Sequence, residues 1–227
     1  MNIQFFYQIN RKYRQERNLQ EPPIIILSYI FKINNLNSLD FPWVTVFNHN
    51  TDGGLFSSPE DALNKNNDDP TAELYSILGS LEEYRIAGRF HFRLCYPELI
   101  GVNDGDGCNE WIQTSNPATD STITGFEPIS LSFPYNSYLK DWVGIGKDIT
   151  SKYLGAFIDD SPNDDYFWTS IGAFQYHGSA STIPGPKSKT QTENQYLVKK
   201  VQLYVKDVPK STTTYKECSD KSQGEKE

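Results

Sequence analysis

The chain predicts a mostly β protein: an antiparallel β-sandwich of jelly-roll type, with two short helices inserted near its start. Three observations lead there. Segments with a two-residue apolar period recur through the middle of the chain. Turn-forming clusters such as Ser-Pro-Asn-Asp-Asp (161–165) and Pro-Gly-Pro (184–186) separate them. Aromatic residues make up 14% of the 227 residues, which supplies a core and argues against a disordered chain despite the many Asn and Asp.

The elements follow in order. Phe41 to Phe47 alternates large groups and reads as a strand entering a turn at Asn48 to Gly54. Ser58-Pro59-Glu60-Asp61 has a helix start's chemistry: a hydroxyl cap, proline at the first helical position and acids in the first turn. Asp69-Pro70 repeats that signal. Leu74, Ile77, Leu78, Leu81 and Tyr84 then fall at steps of three and four, predicting a second helix that ends at Gly88. From Arg89 to Tyr96 the period becomes two, with Phe90, Phe92, Leu94 and Tyr96 on one face. Further strands are expected at Glu110 to Thr114, Ile123 to Phe133, Leu154 to Ile158, Phe167 to Phe174 and Leu197 to Val205. In the last, Leu197, Val201, Leu203 and Val205 would face inward, and Lys200, Gln202 and Tyr204 outward.

This divides the chain into an irregular segment (1–40), one globular β-rich domain (41–205) and a polar, disordered tail (206–227). The apolar stretch Pro22 to Phe31 lacks a small-residue cleavage site; it could be an atypical signal or anchor, an edge strand, or a misjoined first exon.

Charge narrows the partners. The net charge is −8, and residues 33–204 carry 11 basic against 22 acidic side chains, which excludes a phosphate-backbone binder. Neutral ligands, cations or basic surfaces fit the middle of the chain, as does a plain solvated surface. No apolar run approaches the roughly 20 residues that span a bilayer. Of the three cysteines, Cys95 and Cys108 flank a loop containing Asn-Asp-Gly-Asp-Gly, a natural disulfide pair in a secreted protein. Cys218 is left over, and three reduced thiols in a cytosolic protein are the alternative.

Candidate chemistry is sparse. No Gly-x-Ser-x-Gly elbow or phosphate-binding glycine loop occurs, and His49, His91 and His177 sit in no catalytic motif. His49 and His177 are expected in turns and His91 on a polar strand face. A carboxylate pair of glycosidase type could be drawn from Glu98, Glu110, Glu127 or Asp159, without a reason to prefer any. Calcium is the most plausible ion, since oxygen ligands crowd Asn103, Asp104 and Asp106, and again Asp159, Asp160, Asp164 and Asp165; neither cluster has EF-hand spacing. Trp43, Trp111, Trp142 and Trp168 each adjoin polar or glycine-rich sequence. An aromatic face beside Asn, Asp and Glu suits a sugar, and the alternative is that these rings fill the core.

Several motifs carry a resemblance. Trp43 to Asn50 followed by Gly53-Gly54-Leu55-Phe56, then Leu94 to Leu99, Cys108-Asn109-Glu110-Trp111, Ile158-Asp159-Asp160 and Ile183 to Pro186, resemble a module of extracellular proteins from cnidarians and other marine invertebrates. Some of those proteins are labelled fibrinogen-like or lectin-like, and the similarity covers about Phe41 to Val205. It implies an extracellular location and, as an alternative fold, an α+β fibrinogen-like domain. It carries no binding residues across, because the paired cysteines and ligand-site acids of those lectins have no counterparts here. The combined expectation is a non-enzymatic extracellular recognition module, cofactor-free or calcium-bearing. It would bind a glycan or an extracellular protein through loops bearing Asn109, Glu110, Trp111, Trp142, Asp159 and Asp160. Two alternatives are a matrix-interaction protein with calcium-ordered loops, and a glycan-active enzyme using paired acids.

Overall fold

The computed structural model describes residues 41–136, 140–149, 155–162, 168–177, 180–187 and 195–207. The expectations for residues 1–40, Asp164, Asp165, Cys218 and the tail beyond residue 207 lie outside them. The protein is mostly β, as expected. Strands β1 (Trp43–Asn50), β2 (Leu74–Ser76), β3 (Phe90–Cys95), β4 (Cys108–Gln113) and β5 (Glu127–Leu131) precede two short ribbons. The ribbons are β6 (Gly146–Lys147) with β7 (Ile158–Asp159), and β8 (Ile183–Lys187) with β9 (Gln195–Val198). Strand β10 (Lys200–Lys206) then returns to the main sheet, whose six strands run β2-β1-β10-β3-β4-β5, all neighbours antiparallel.

One face of this sheet is apolar and the other polar, following the two-residue period. Phe90, Phe92 and Leu94 of β3 and Val201, Leu203 and Val205 of β10 are fully buried. Ile145, Phe157, Ile158, Ile171, Ile183 and Val198 cover them and form the second layer of the sandwich. The remaining layer is thus built from ribbons and irregular chain rather than from a second broad sheet.

Strand β1 carries an irregularity between Thr45 and Phe47. The extra residue shifts the alternation, so Val44 faces inward before it and Phe47 and His49 after it. His49 is therefore a buried strand residue, correcting the expected turn. Burial lowers its pKa from 6.5 to about 4, against the opposing effect of its bond to the Gly54 carbonyl. Its Nε2 donates to that carbonyl at 3.0 Å, while Nδ1 is buried with no hydrogen-bond partner. Phe56 packs edge-on at 5.2 Å.

Three other local expectations change. The first helix, α1 (Pro59–Leu63), forms as expected, with the Ser58 hydroxyl accepting the Asp61 N–H at 3.2 Å. The second does not. Leu74 to Ser76 is instead an edge strand on β1, and only Leu78–Tyr84 turns, as a 3₁₀ helix. Leu78, Leu81 and Tyr84 recur every three residues, which fits a 3₁₀ turn as well as an α-helix. The Ser76 hydroxyl accepts from the Leu78 N–H and donates to the Ala62 carbonyl, anchoring the switch of period.

Pro184-Gly185-Pro186 is a buried strand rather than a turn. Its carbonyls still accept: Pro184 from the Ser170 N–H and Gly185 from the Thr169 N–H. A Cβ at Gly185 would meet the Tyr196 carbonyl oxygen and Val198 at 2.9 Å, so only glycine permits this approach. The expected strand Leu197 to Val205 is broken at Lys199, whose N–H points into the Glu98 carboxylate at 3.0 and 3.1 Å. The break reverses the parity, so Val198 is buried and Leu197 is 41% exposed.

Among the described residues no helix is long and apolar enough to cross a membrane.

Candidate functional site

Strands β3 and β4 are joined by the Cys95–Cys108 disulfide, the two cysteines facing each other in the ladder. Gly107 precedes the second cysteine with φ of +76°, and its carbonyl accepts the Tyr96 N–H at 2.9 Å, so the loop closes tightly onto the bridge. Closing a loop of this size stabilises the fold by about 3 kcal/mol.

The loop's acids are not arranged as an ion cage. Both oxygens of Asp106 are engaged: Oδ1 by the Cys108 N–H (3.0 Å) and the Ser132 hydroxyl (3.1 Å), and Oδ2 by Arg93 (2.8 Å). Burial would raise the Asp106 pKa, but these donors outweigh it and hold the carboxyl below its ordinary range. Asn103 donates to the Ser132 carbonyl at 3.1 Å, and Asp104 is exposed. Among the described residues no three acidic, histidine or cysteine side chains gather as a metal-holding group.

The expected ligand-binding set is also pulled apart. Trp111 is fully buried, stacked between Phe92 (5.4 Å) and the edge of Trp142 (4.7 Å), and Trp142 is 2% exposed. The Trp111 indole N–H donates to Gln113, whose amide donates to the Ser115 and Ile145 carbonyls. These two tryptophans are core, because β4 turns Trp111 toward the covered face. Asn109 is buried and brackets Phe133, donating to its carbonyl (2.8 Å) and accepting its N–H (2.9 Å). Asp159 and Asp160 lie inside as well: Asp159 accepts the Ser161 N–H, and Asp160 accepts the Thr169 hydroxyl at 2.8 Å. Burial and the nearby Asp160 together push the Tyr96 phenol well above its ordinary pKa. Of the six residues only Glu110 reaches the outer face.

That outer face is where aromatic and polar groups meet. The ladder sets Thr45, Tyr204, Arg93, Glu110 and Ser130 in one row across five strands. Trp43 stands opposite Lys206, whose ammonium lies 4.8 Å from the indole centre. The edge of His91 meets the same ring at 5.1 Å, and His91 Nε2 donates to Glu110 at 2.8 Å. Burial lowers the His91 pKa; Glu110 raises it and Lys206 lowers it again, and the net direction is downward. Burial raises the Tyr204 phenol pKa, with Arg93 acting the other way.

An open groove of about 450 Å³ runs over this face, lined by Trp43, Arg93, Gln202, Tyr204, Asp106 and the disulfide. Trp43 and Tyr204 are half-buried. Arg93 Nε is buried and has no hydrogen-bond partner. None of the groove's tyrosine, arginine or glutamine residues was singled out as a site from the sequence. The signal was nevertheless present: Tyr204 is an aromatic on the otherwise polar side of an alternating strand. Comparison of the sequence with known protein families and curated proteins, and of the fold with solved structures, finds no match.

Proposed function

We propose that the chain is a non-enzymatic extracellular recognition module that binds a glycan in the groove over the outer face of the sheet. One observation carries the reading. The groove sets two half-buried aromatic rings, Trp43 and Tyr204, beside the partly exposed Arg93 guanidinium, which gives one bond, from Nη2 to Asp106. Aromatic faces stack on sugar C–H groups, and unpartnered N–H donors take sugar oxygens. On the rim, Gln202 adds an amide for hydroxyls. The location rests on the disulfide, a bond that persists in oxidising compartments.

The test is Trp43→Ala on a glycan array. We expect at least a tenfold loss of binding, about 1.4 kcal/mol, with the protein still folded. Undiminished binding by a folded Trp43→Ala protein refutes the site.

A further inference from the structure

We infer that the groove selects an acidic saccharide, one bearing a carboxylate or sulfate, through Arg93 and Lys206. This rests on the glycan reading above. The charges on this face differ in how far they are already engaged. Both nearby carboxylates are: Asp106 accepts from Arg93, Ser132 and the Cys108 N–H, and Glu110 accepts from His91. The cations have capacity left. A guanidinium offers five N–H donors, of which Arg93 gives one bond, from Nη2 to Asp106; Nε is sealed from solvent, and the partly exposed Nη groups hold the capacity left for a ligand. Lys206 rests over Trp43 and makes no salt bridge to another described residue.

Placement supports joint use. Arg93 lies opposite Tyr204, and Lys206 stands two residues further along the same strand, roughly 7 Å away. A sugar lying along Trp43 would bring its acidic substituent to the Arg93 guanidinium, and Lys206 would leave the indole to meet it from the groove's edge. A charged acceptor on a guanidinium N–H gives a stronger bond than a hydroxyl gives. Long-range attraction does not explain such selection, because a chain of net charge −8 repels polyanions at a distance.

The full-length protein, disulfide intact, would be titrated calorimetrically with matched oligosaccharide pairs. Oligogalacturonate against galactose oligomers tests a carboxylate, and dextran sulfate oligomers against dextran test a sulfate. We expect the charged member of at least one pair to bind about tenfold tighter or more. That advantage should vanish in Arg93→Gln and in Lys206→Gln, and persist in Lys199→Gln, whose charge lies elsewhere. If Arg93→Gln fails to fold, Lys206→Gln carries the test. Equal affinity within both pairs, still lost in Trp43→Ala, overturns the acidic selection and leaves the glycan reading standing. So does an advantage that all three charge variants remove equally, or that Arg93→Gln and Lys206→Gln both retain. If no saccharide binds in a Trp43-dependent way, both readings fall.

Discussion

Trp111 and Trp43 stand on opposite faces of the same sheet, and the contrast between them separates stability from recognition. Trp111 is sealed between Phe92 and Trp142, with its N–H passed to Gln113. Trp43 is half-buried on the other face, against a histidine edge and a lysine ammonium. The residue type is the same and the surroundings decide its role. A tryptophan sealed on all sides contributes packing, whereas one half open to solvent keeps surface that a ligand can cover.

The sharpest way to break this comparison is to delete both rings separately. Trp111→Ala should cost about 3–5 kcal/mol, a large fraction of the stability of an ordinary domain. Trp43→Ala removes a half-buried ring with contacts to Lys206 and His91, so it should cost less, about 1–2 kcal/mol, and act on binding as well. Denaturant titration of each variant decides, and similar losses for the two would erase the distinction between the faces.

The bridge at the edge of the groove is the next lever. Replacing Cys95 and Cys108 together by serine should lower stability by about 3 kcal/mol. Because Asp106 is held by the Cys108 N–H and reaches Arg93, the same variant should weaken glycan binding while leaving the core fold intact. Circular dichroism with the glycan array separates the two effects, and unchanged binding would detach the disulfide from the site.

His49 sharpens the inner-face side. Its folded pKa, about 4, lies below the ordinary 6.5, so the fold favours the neutral ring. Stability is then complete above about pH 6.5 and declines as pH falls, because the unfolded chain takes up the proton first. By pH 4 this amounts to about 3 kcal/mol, full loss being reached only below the folded pKa of about 4. Stability curves of the wild type and His49→Gln between pH 7 and 4 should diverge on the acid side, the variant losing less. Parallel curves would show that the buried ring does not govern acid sensitivity.

How much of this was legible beforehand varies by element. The alternation of Phe90, Phe92 and Leu94 placed β3 and its inward face, and the spacing around Asn-Asp-Gly-Asp-Gly pointed to the disulfide that forms. The helix start at Ser58 was readable because its capping chemistry is local. The candidate site was not. Asn109, Trp111 and Trp142 lie beside polar sequence but inside the molecule, and the aromatic that flanks the groove, Trp43, depends on β10 returning from the far end of the chain to pair with β1.

Local periodicity and capping encode a β-rich chain, its strongest strands, one helix start and a cross-linked loop. Tertiary structure alone decided which face of each strand would be covered. It also made a strand of Pro184-Gly185-Pro186, split β9 from β10 at Lys199, and turned His49 inward through an irregularity in β1. The physical reason is that a two-residue period states which side chains share a face. Whether that face meets solvent or protein depends on contacts from segments far apart in the chain.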